Sequence, residues 1–548
     1  MNILDGRWNT GGWLMLLFGV VLPAWLGAAD QPWRVFHENG KWATATTGWI
    51  GKGTHSERTD AGLLVRDSST EKGSGRMYLL NWGAVPTHGA AIEARLRVIA
   101  CSEAWGVSML VADGVHEECL TIYPDHLQLV NARVEVPFEA GDGFHTYRLA
   151  IKGEDVMLLV DGKLLHDGTG KFLRRAVSDP PRNQCGFGSG ASTATGEAVW
   201  QWVKYQSDQQ AEKAEPPATV DGLTVAFGKT VEIIPGAIYQ SLFRFRDGRL
   251  AVAGQHSDDQ GATWHPGPTL STGFHESEDG ALINLGFRTK MVSPGVFEAP
   301  LVQSTDGGKT MSRLTARLNI PEGTGGMGDD GKRYGGPLVD HAIVRCRDGS
   351  LLATMYGYFK TDTVLCPTFP PEWGLYKYRT FVIRSTDGGR IWDYWATVAY
   401  DPKIGLESFC EADLLTLPNG DILCFMRTGG SGGKHTPLHL SVSRDDGKTW
   451  EKSRPIADRG VWPSACRMAS GVLVVTYGRP DNWLAFSLDD GKTWGGHTRF
   501  ARGESSNYNS IEEVAPGKLL VVYDQRSIGP DGSMVRATVG TFVTVTRD

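Results

Sequence analysis

A small set of polar and aromatic side chains recurs at fixed distances from one repeated turn. The turns are Asp247-Gly248, Asp348-Gly349, Asn419-Gly420, Ser470-Gly471 and Pro516-Gly517, each followed by an apolar run. Nine residues before these glycines stand Tyr239, Asp340, Glu411, Trp462 and Tyr508; seven or eight residues after them stand His256, Tyr356, Arg427 and Arg479. Equal spacing from equal turns predicts equal height in repeated units, so carboxyl, guanidinium and phenol groups are expected at one level. Such a polar, convergent set suits the binding and cleavage of a saccharide.

The elements that position these residues announce themselves by a second repeat. The pattern S-x-D-x-G-x-[TI]-[WM] occurs five times, opening at Ser257, Ser304, Ser385, Ser443 and Ser487. In each copy the Asp can fold back onto turn amides, the Gly supplies a positive φ and the terminal aromatic or Met packs between units. This octapeptide is the Asp-box, and the chain resembles the sialidase-like six-bladed β-propellers over residues 220–548. The resemblance implies boxes on the periphery and inner strands that begin near a central channel. The first set of residues would then ring one mouth, and the second strands would return the other set to it. Blade two, about Phe274–Met311, does not fit the register.

The resemblance also assigns roles. The stretch SFCEADLLTLPNGDILCFMRT is similar to the family segment that carries a Glu and an Arg, which places Glu411 and Arg427. VVTYGRPDNWLAFSLDDGKTW places a further arginine at Arg479, and SSNYNSIEEVAPGKLLVVYD places the family nucleophile at Tyr508. The implied chemistry is retaining, exo-acting hydrolysis of a terminal acidic sugar, a sialic acid or a related uronic or ulosonic acid. Tyr508 attacks, Glu411 takes its proton, and Arg427 and Arg479 grip the substrate carboxylate. A phenol with pKa near ~10 attacks only when a carboxylate removes its proton. As a neutral nucleophile it also avoids repulsion by an anomeric carboxylate. Two family features are missing. AIYQSLFRFRDG has no R-I-P arginine, and LAVAGQHSDDQGATW has no insertion for the family's acid. Asp340 is the replacement acid, with His341 and His256 behind it; Tyr239, Tyr356 and Trp462 complete the expected binding surface.

The remaining sequence frames this domain. Residues 1–29 have Arg7, the apolar Trp13–Leu26 and Gly27-Ala28-Ala29, the plan of a cleaved secretory signal, so a secreted or periplasmic protein is expected. No later stretch reads as a membrane span. Residues 30–207 alternate apolar and polar side chains between turns, as in HTYRLAIKGEDVMLLVDG, and resemble a laminin-G or concanavalin-like β-sandwich. Residues 208–219, with QQAEKAEPPAT, read as a linker. The fold class is therefore all-β, a sandwich followed by a propeller. A net charge of −7 over 548 residues excludes the strongly basic surface of a nucleic-acid binder. The 69 glycines fit a chain of many turns. The eight cysteines form no metal-ligand spacing, and no nucleotide, zinc or EF-hand motif occurs, so no cofactor is expected. An oxidising compartment would allow a bridge between Cys101 and Cys119. The expected partner is a glycan or glycoconjugate. Two other readings use the same scaffold: a non-catalytic glycan-binding propeller, and a polysaccharide lyase with Tyr508 or a His as base.

Overall fold

The structure is a computed structural model that describes residues 31–51, 53–71, 74–176, 181–207, 222–236, 241–328, 331–429, 435–479, 481–501, 506, 508–528 and 534–547. The signal segment, the linker and Tyr239 lie outside the described residues. The described chain is built of strands, with one 3₁₀ turn at Pro371–Trp373. Among the described residues no helix is long and apolar enough to cross a membrane.

Between Arg34 and Ser207 the strands form two antiparallel sheets of eight and seven strands. Period-two alternation puts one side of each strand inward, and Phe36, Trp82, Leu96, Leu120, Tyr147, Leu158, Phe187 and Trp200 interdigitate in a dry core. All eight cysteines are free thiols, so no Cys101–Cys119 bridge is present. Burial pushes both of these thiols up, Cys101 to about 11.

From Leu223 onward the strands group into the blades of a propeller. The last sheet joins Leu223–Pro235 to Met534–Arg547, so the first strand of this region closes the ring by pairing with the last. Blades four and five are four-stranded meanders, Cys410–Thr416 to Arg454–Ala457 and Val461–Arg467 to Gly495–Ala501. Blades two and three share one ten-stranded sheet. Blade two nevertheless has the same turn: Gly280 has φ +81° and donates its N–H to the Ser277 carbonyl, as Gly420 with φ +85° does to that of Leu417. The omitted signal is Asp279-Gly280-Ala281-Leu282.

Each Asp-box closes the hairpin between the third and fourth strands of its blade. In blade four, Ser443 Oγ donates to Asp445 at 3.0 Å, the Gly447 N–H donates to Ser443 Oγ at 2.9 Å, and the Trp450 indole donates to the Gly447 carbonyl at 2.9 Å. Strand direction puts these boxes at the end of the blade opposite Glu411 and Arg427, so they build the scaffold and leave the mouth to other residues.

The inner strands carry two carboxyls below the mouth, the buried Asp413 and the half-buried Glu512. Asp413 accepts the N–H groups of Leu414 at 3.0 Å and of Ala465, on the next blade, at 2.8 Å. Burial nevertheless pushes Asp413 up to about 7; burial, against the opposing Arg244 and with the help of Asp413, pushes Glu512 up to about 8. Both groups hold their protons more tightly folded than unfolded. Their contribution is complete below about pH 4 and is lost as pH rises through about 7 and about 8. The urea midpoint is therefore expected to fall between pH 5 and pH 8.5, and Glu512→Gln should make that fall shallower. Identical pH slopes for the variant and the wild type would contradict the assignment.

Candidate active site

The mouth is shaped by strand irregularities. The inner-strand register shifts between Cys410 and Ala412, between Val461 and Ser464, and between Val339 and Ile343. These bulges fall on Glu411, on Trp462 and on the Asp340-His341 pair. A bulge leaves residues outside the ladder and re-aims their side chains, which is why it recurs beside functional sites. Glu411 and Trp462 take the left-handed backbone, with φ of +42° and +46°, and so does Arg479 at +55°. Such conformations cost about 1–3 kcal/mol each for side chains with a Cβ and persist only where the surroundings impose them.

Three of the expected residues meet in one hydrogen-bonded cluster. Tyr508 Oη donates to Glu411 Oε1 at 2.6 Å, Arg427 Nη1 reaches the same oxygen at 2.6 Å, and it reaches Tyr508 Oη at 3.2 Å. Arg427 Nη2 pairs with Glu407 at 3.0 Å. Glu407 and Arg427 are buried, and Glu411 is 6% exposed, with an Oε2 that has no accessible surface and no hydrogen-bond partner among the described residues. Tyr508 is half-buried and presents itself in front of this acid–base layer. Burial opposes the charge on Arg427, but the carboxylates of Glu407 and Glu411 outweigh it and hold the guanidinium well above its usual range. Burial and the adjacent Glu411 push the Tyr508 phenol up, against the opposing pull of Arg427 and Arg479. The phenol therefore waits in its protonated form with its acceptor already in place.

Aromatic packing fixes the ring of Tyr508. Trp462 stacks on it with centroids 4.4 Å apart and planes 11° apart, and His341 tilts against Trp462 at 4.2 Å. The backbone before Tyr508 is anchored as well: Ser506 bonds to the buried Asp524 through its hydroxyl and, at 3.3 Å, its amide, and the Tyr508 N–H donates to Ser506 Oγ at 3.2 Å. Arg479 lies 5.6 Å over the Tyr508 ring and donates from Nη2 to the Ser506 carbonyl at 2.7 Å. Tyr356 is buried and close enough for Glu411, Asp340 and Tyr508 to add to the burial that raises its phenol. His341 bonds through Nδ1 to Ser241 at 3.1 Å, and burial lowers it to about 3, so it is neutral at ordinary pH.

Three expectations need correction. Asp340 does not face the open mouth: it is 0% exposed, and among the described residues neither oxygen has a hydrogen-bond partner, although the Ala412 amide is nearby. Burial, then the charges of Glu411 and Asp413, keeps it protonated. It has the protonation state of a general acid without the access, because its bulge turns it into the wall between blades three and four. His256 belongs to the third strand of blade one, Gln255–Ser257, since the second strand, Leu250–Val252, is short. There it bonds to the Pro268 carbonyl at 3.0 Å and packs by Phe245, with no contact to the Tyr508 cluster. The third correction concerns the arginine grip. Arg427 spends Nη1 and Nη2 on protein groups, so that edge offers no fork to a substrate carboxylate.

Sequence reading missed Glu407, Ser506 and Asp524. Glu407 stands four residues before Glu411 in GLESFCEAD, a signal that pairs two carboxylates around one arginine. Among the described residues no group of three or more His, Cys, Asp or Glu side chains is placed to hold a metal ion.

Residues 363–540 match the model of the BNR repeat-like domain. A protein of unknown function from Dyadobacter fermentans is similar at 20% identity and a TM-score of 0.44, over 60% of this chain and 100% of that one. The Hadza microbial sialidase Hz136 aligns at 12% identity and a TM-score of 0.41, over 86% of this chain and 96% of its own. An α-L-arabinanase of Penicillium chrysogenum aligns at 14% identity and 0.39, over 57% and 98%. No curated protein matches the chain.

Proposed function

We propose that this chain, whose propeller carries the repeats of the sialidase-like BNR superfamily, is a retaining glycoside hydrolase with Tyr508 as nucleophile and Glu411 as its base. The observation that carries the reading is the 2.6 Å bond from Tyr508 Oη to Glu411 Oε1. As Oη forms its bond to the anomeric carbon, the phenol proton passes to Glu411, and the leaving oxygen takes a proton from a water molecule as its bond to that carbon breaks. The hydroxide so formed attacks the glycosyl-tyrosine on the face that the leaving group has vacated, and Tyr508 leaves as Glu411 returns its proton. Arg427 limits the build-up of negative charge on this pair by touching both partners. Trp462 and the Ser506–Asp524 anchor hold the attacking ring in one pose. The apolar segment at residues 13–26 supports export, and an exported glycan is the substrate this implies.

The same cluster speaks against a purely glycan-binding propeller, because a lectin has no use for a phenol hydrogen-bonded to a carboxylate behind it. Proton NMR of a hydrolysis in progress tests the reading. The first sugar released should have the anomeric configuration of the substrate. Inverted product would rule out the glycosyl-tyrosine route, and an unsaturated product absorbing in the ultraviolet would favour the lyase.

A further inference from the structure

We infer that the sugar this mouth accepts is neutral, because the charges in contact with the Tyr508–Glu411 pair already cancel one another. The inference rests on the glycosidase reading and narrows its substrate class. Among the described residues two guanidiniums, Arg427 and Arg479, stand against two carboxylates, Glu407 and Glu411. Arg427 has both nitrogens of its outer edge turned to Glu411, Tyr508 and Glu407. A carboxylate is held best by two parallel N–H bonds from such an edge. Arg479 stands 5.6 Å from the centre of the Tyr508 ring and donates from Nη2 to the Ser506 carbonyl.

A sugar carboxylate brought to the anomeric position beside Tyr508 would instead approach Glu411, whose Oε1 lies 2.6 Å from the attacking atom. Like charges a few ångströms apart repel each other in a protein site more strongly than in water. Among the described residues, those packed around the pair besides these four charges are uncharged: Trp462 stacked on Tyr508, the neutral His341 behind it and the buried Tyr356. The Tyr–Glu pair places no demand on the charge of the sugar, since the phenol is neutral before it attacks.

The test uses the full chain and two families of 4-methylumbelliferyl glycosides: neutral pentosides and hexosides of both anomers, and the N-acetylneuraminide and glucuronides. A kcat/KM for the best neutral substrate at least 100-fold above the best acidic one is expected. Acidic substrates cleaved equally well or better would overturn the inference and leave the hydrolase reading standing. If nothing is cleaved, the hydrolase reading falls, and calorimetry decides the inference separately. Neutral iminosugars binding tighter than 2,3-didehydro acidic sugars would support it, whereas the reverse order, or binding of neither, would overturn it. Glu407→Gln adds an independent arm. Removing one carboxylate from Arg427 should raise the affinity for the acidic ligand relative to the neutral one about tenfold, a change of about 1.4 kcal/mol. An unchanged ratio in a variant that melts like the wild type would overturn the charge argument, and should that variant not fold, the wild-type panel decides alone.

Discussion

Tyr508→Phe is expected to lower kcat by on the order of 10³-fold or more while leaving the fold intact, the size of loss seen when a nucleophile is removed. The substitution deletes one oxygen. The phenyl ring keeps its stack on Trp462, and the backbone keeps its Ser506 anchor. Arg427 loses a 3.2 Å contact but retains Glu407 and Glu411, so stability should change by no more than about 1 kcal/mol. What disappears is the attacking atom and the proton that Glu411 would receive. Steady-state kinetics with an activated aryl glycoside, beside a urea unfolding curve, separates the two effects. A variant within tenfold of wild type would remove Tyr508 from the chemistry.

Arg427→Met is expected to cost stability as well as activity, by about 3–5 kcal/mol, the range for breaking a buried ion pair from one side. The guanidinium is 5% exposed and is the cation shared by Glu407 and Glu411. Methionine keeps part of the side-chain volume but leaves two carboxylates facing each other in a dry wall. One or both must then take up a proton or drag water inward, and a protonated Glu411 cannot serve as a base. Thermal unfolding should shift downward by about 10 °C, since a domain of this size moves about 2–4 °C per kcal/mol. The activity loss should be partly recovered by lysine at this position, which restores the charge without the fork. A methionine variant as stable as wild type would mean that Glu407 and Glu411 do not depend on Arg427 for their charge.

Much of this arrangement was legible in the sequence because repeats carry their own register. The Ser, Asp, Gly and Trp of each Asp-box bond as their types dictate, and the turn glycines take the positive φ that their place requires. Counting from those glycines brought Glu411, Trp462, Tyr508, Arg427 and Arg479 to one mouth. Counting failed where the chain departs from an even strand. A short second strand in blade one put His256 on the third, and a bulge at Asp340 turned its carboxyl inward. Spacing also conveys nothing about ownership of charge. Arg427 read as a hand for substrate because its partner Glu407 lies outside the nine-residue register, in the loop before the strand.

The pairing of Tyr508 with Glu411 is the claim on which the rest depends. It is tested most directly by trapping the glycosyl-enzyme with a 2-deoxy-2-fluoro glycosyl fluoride of the best-cleaved sugar and mapping the adduct by peptide mass spectrometry. The expected result is one sugar per chain, bound to the peptide that contains Tyr508 and absent from Tyr508→Phe. An adduct on Glu411, or steady turnover of the reagent with inverted product and no adduct, would contradict it.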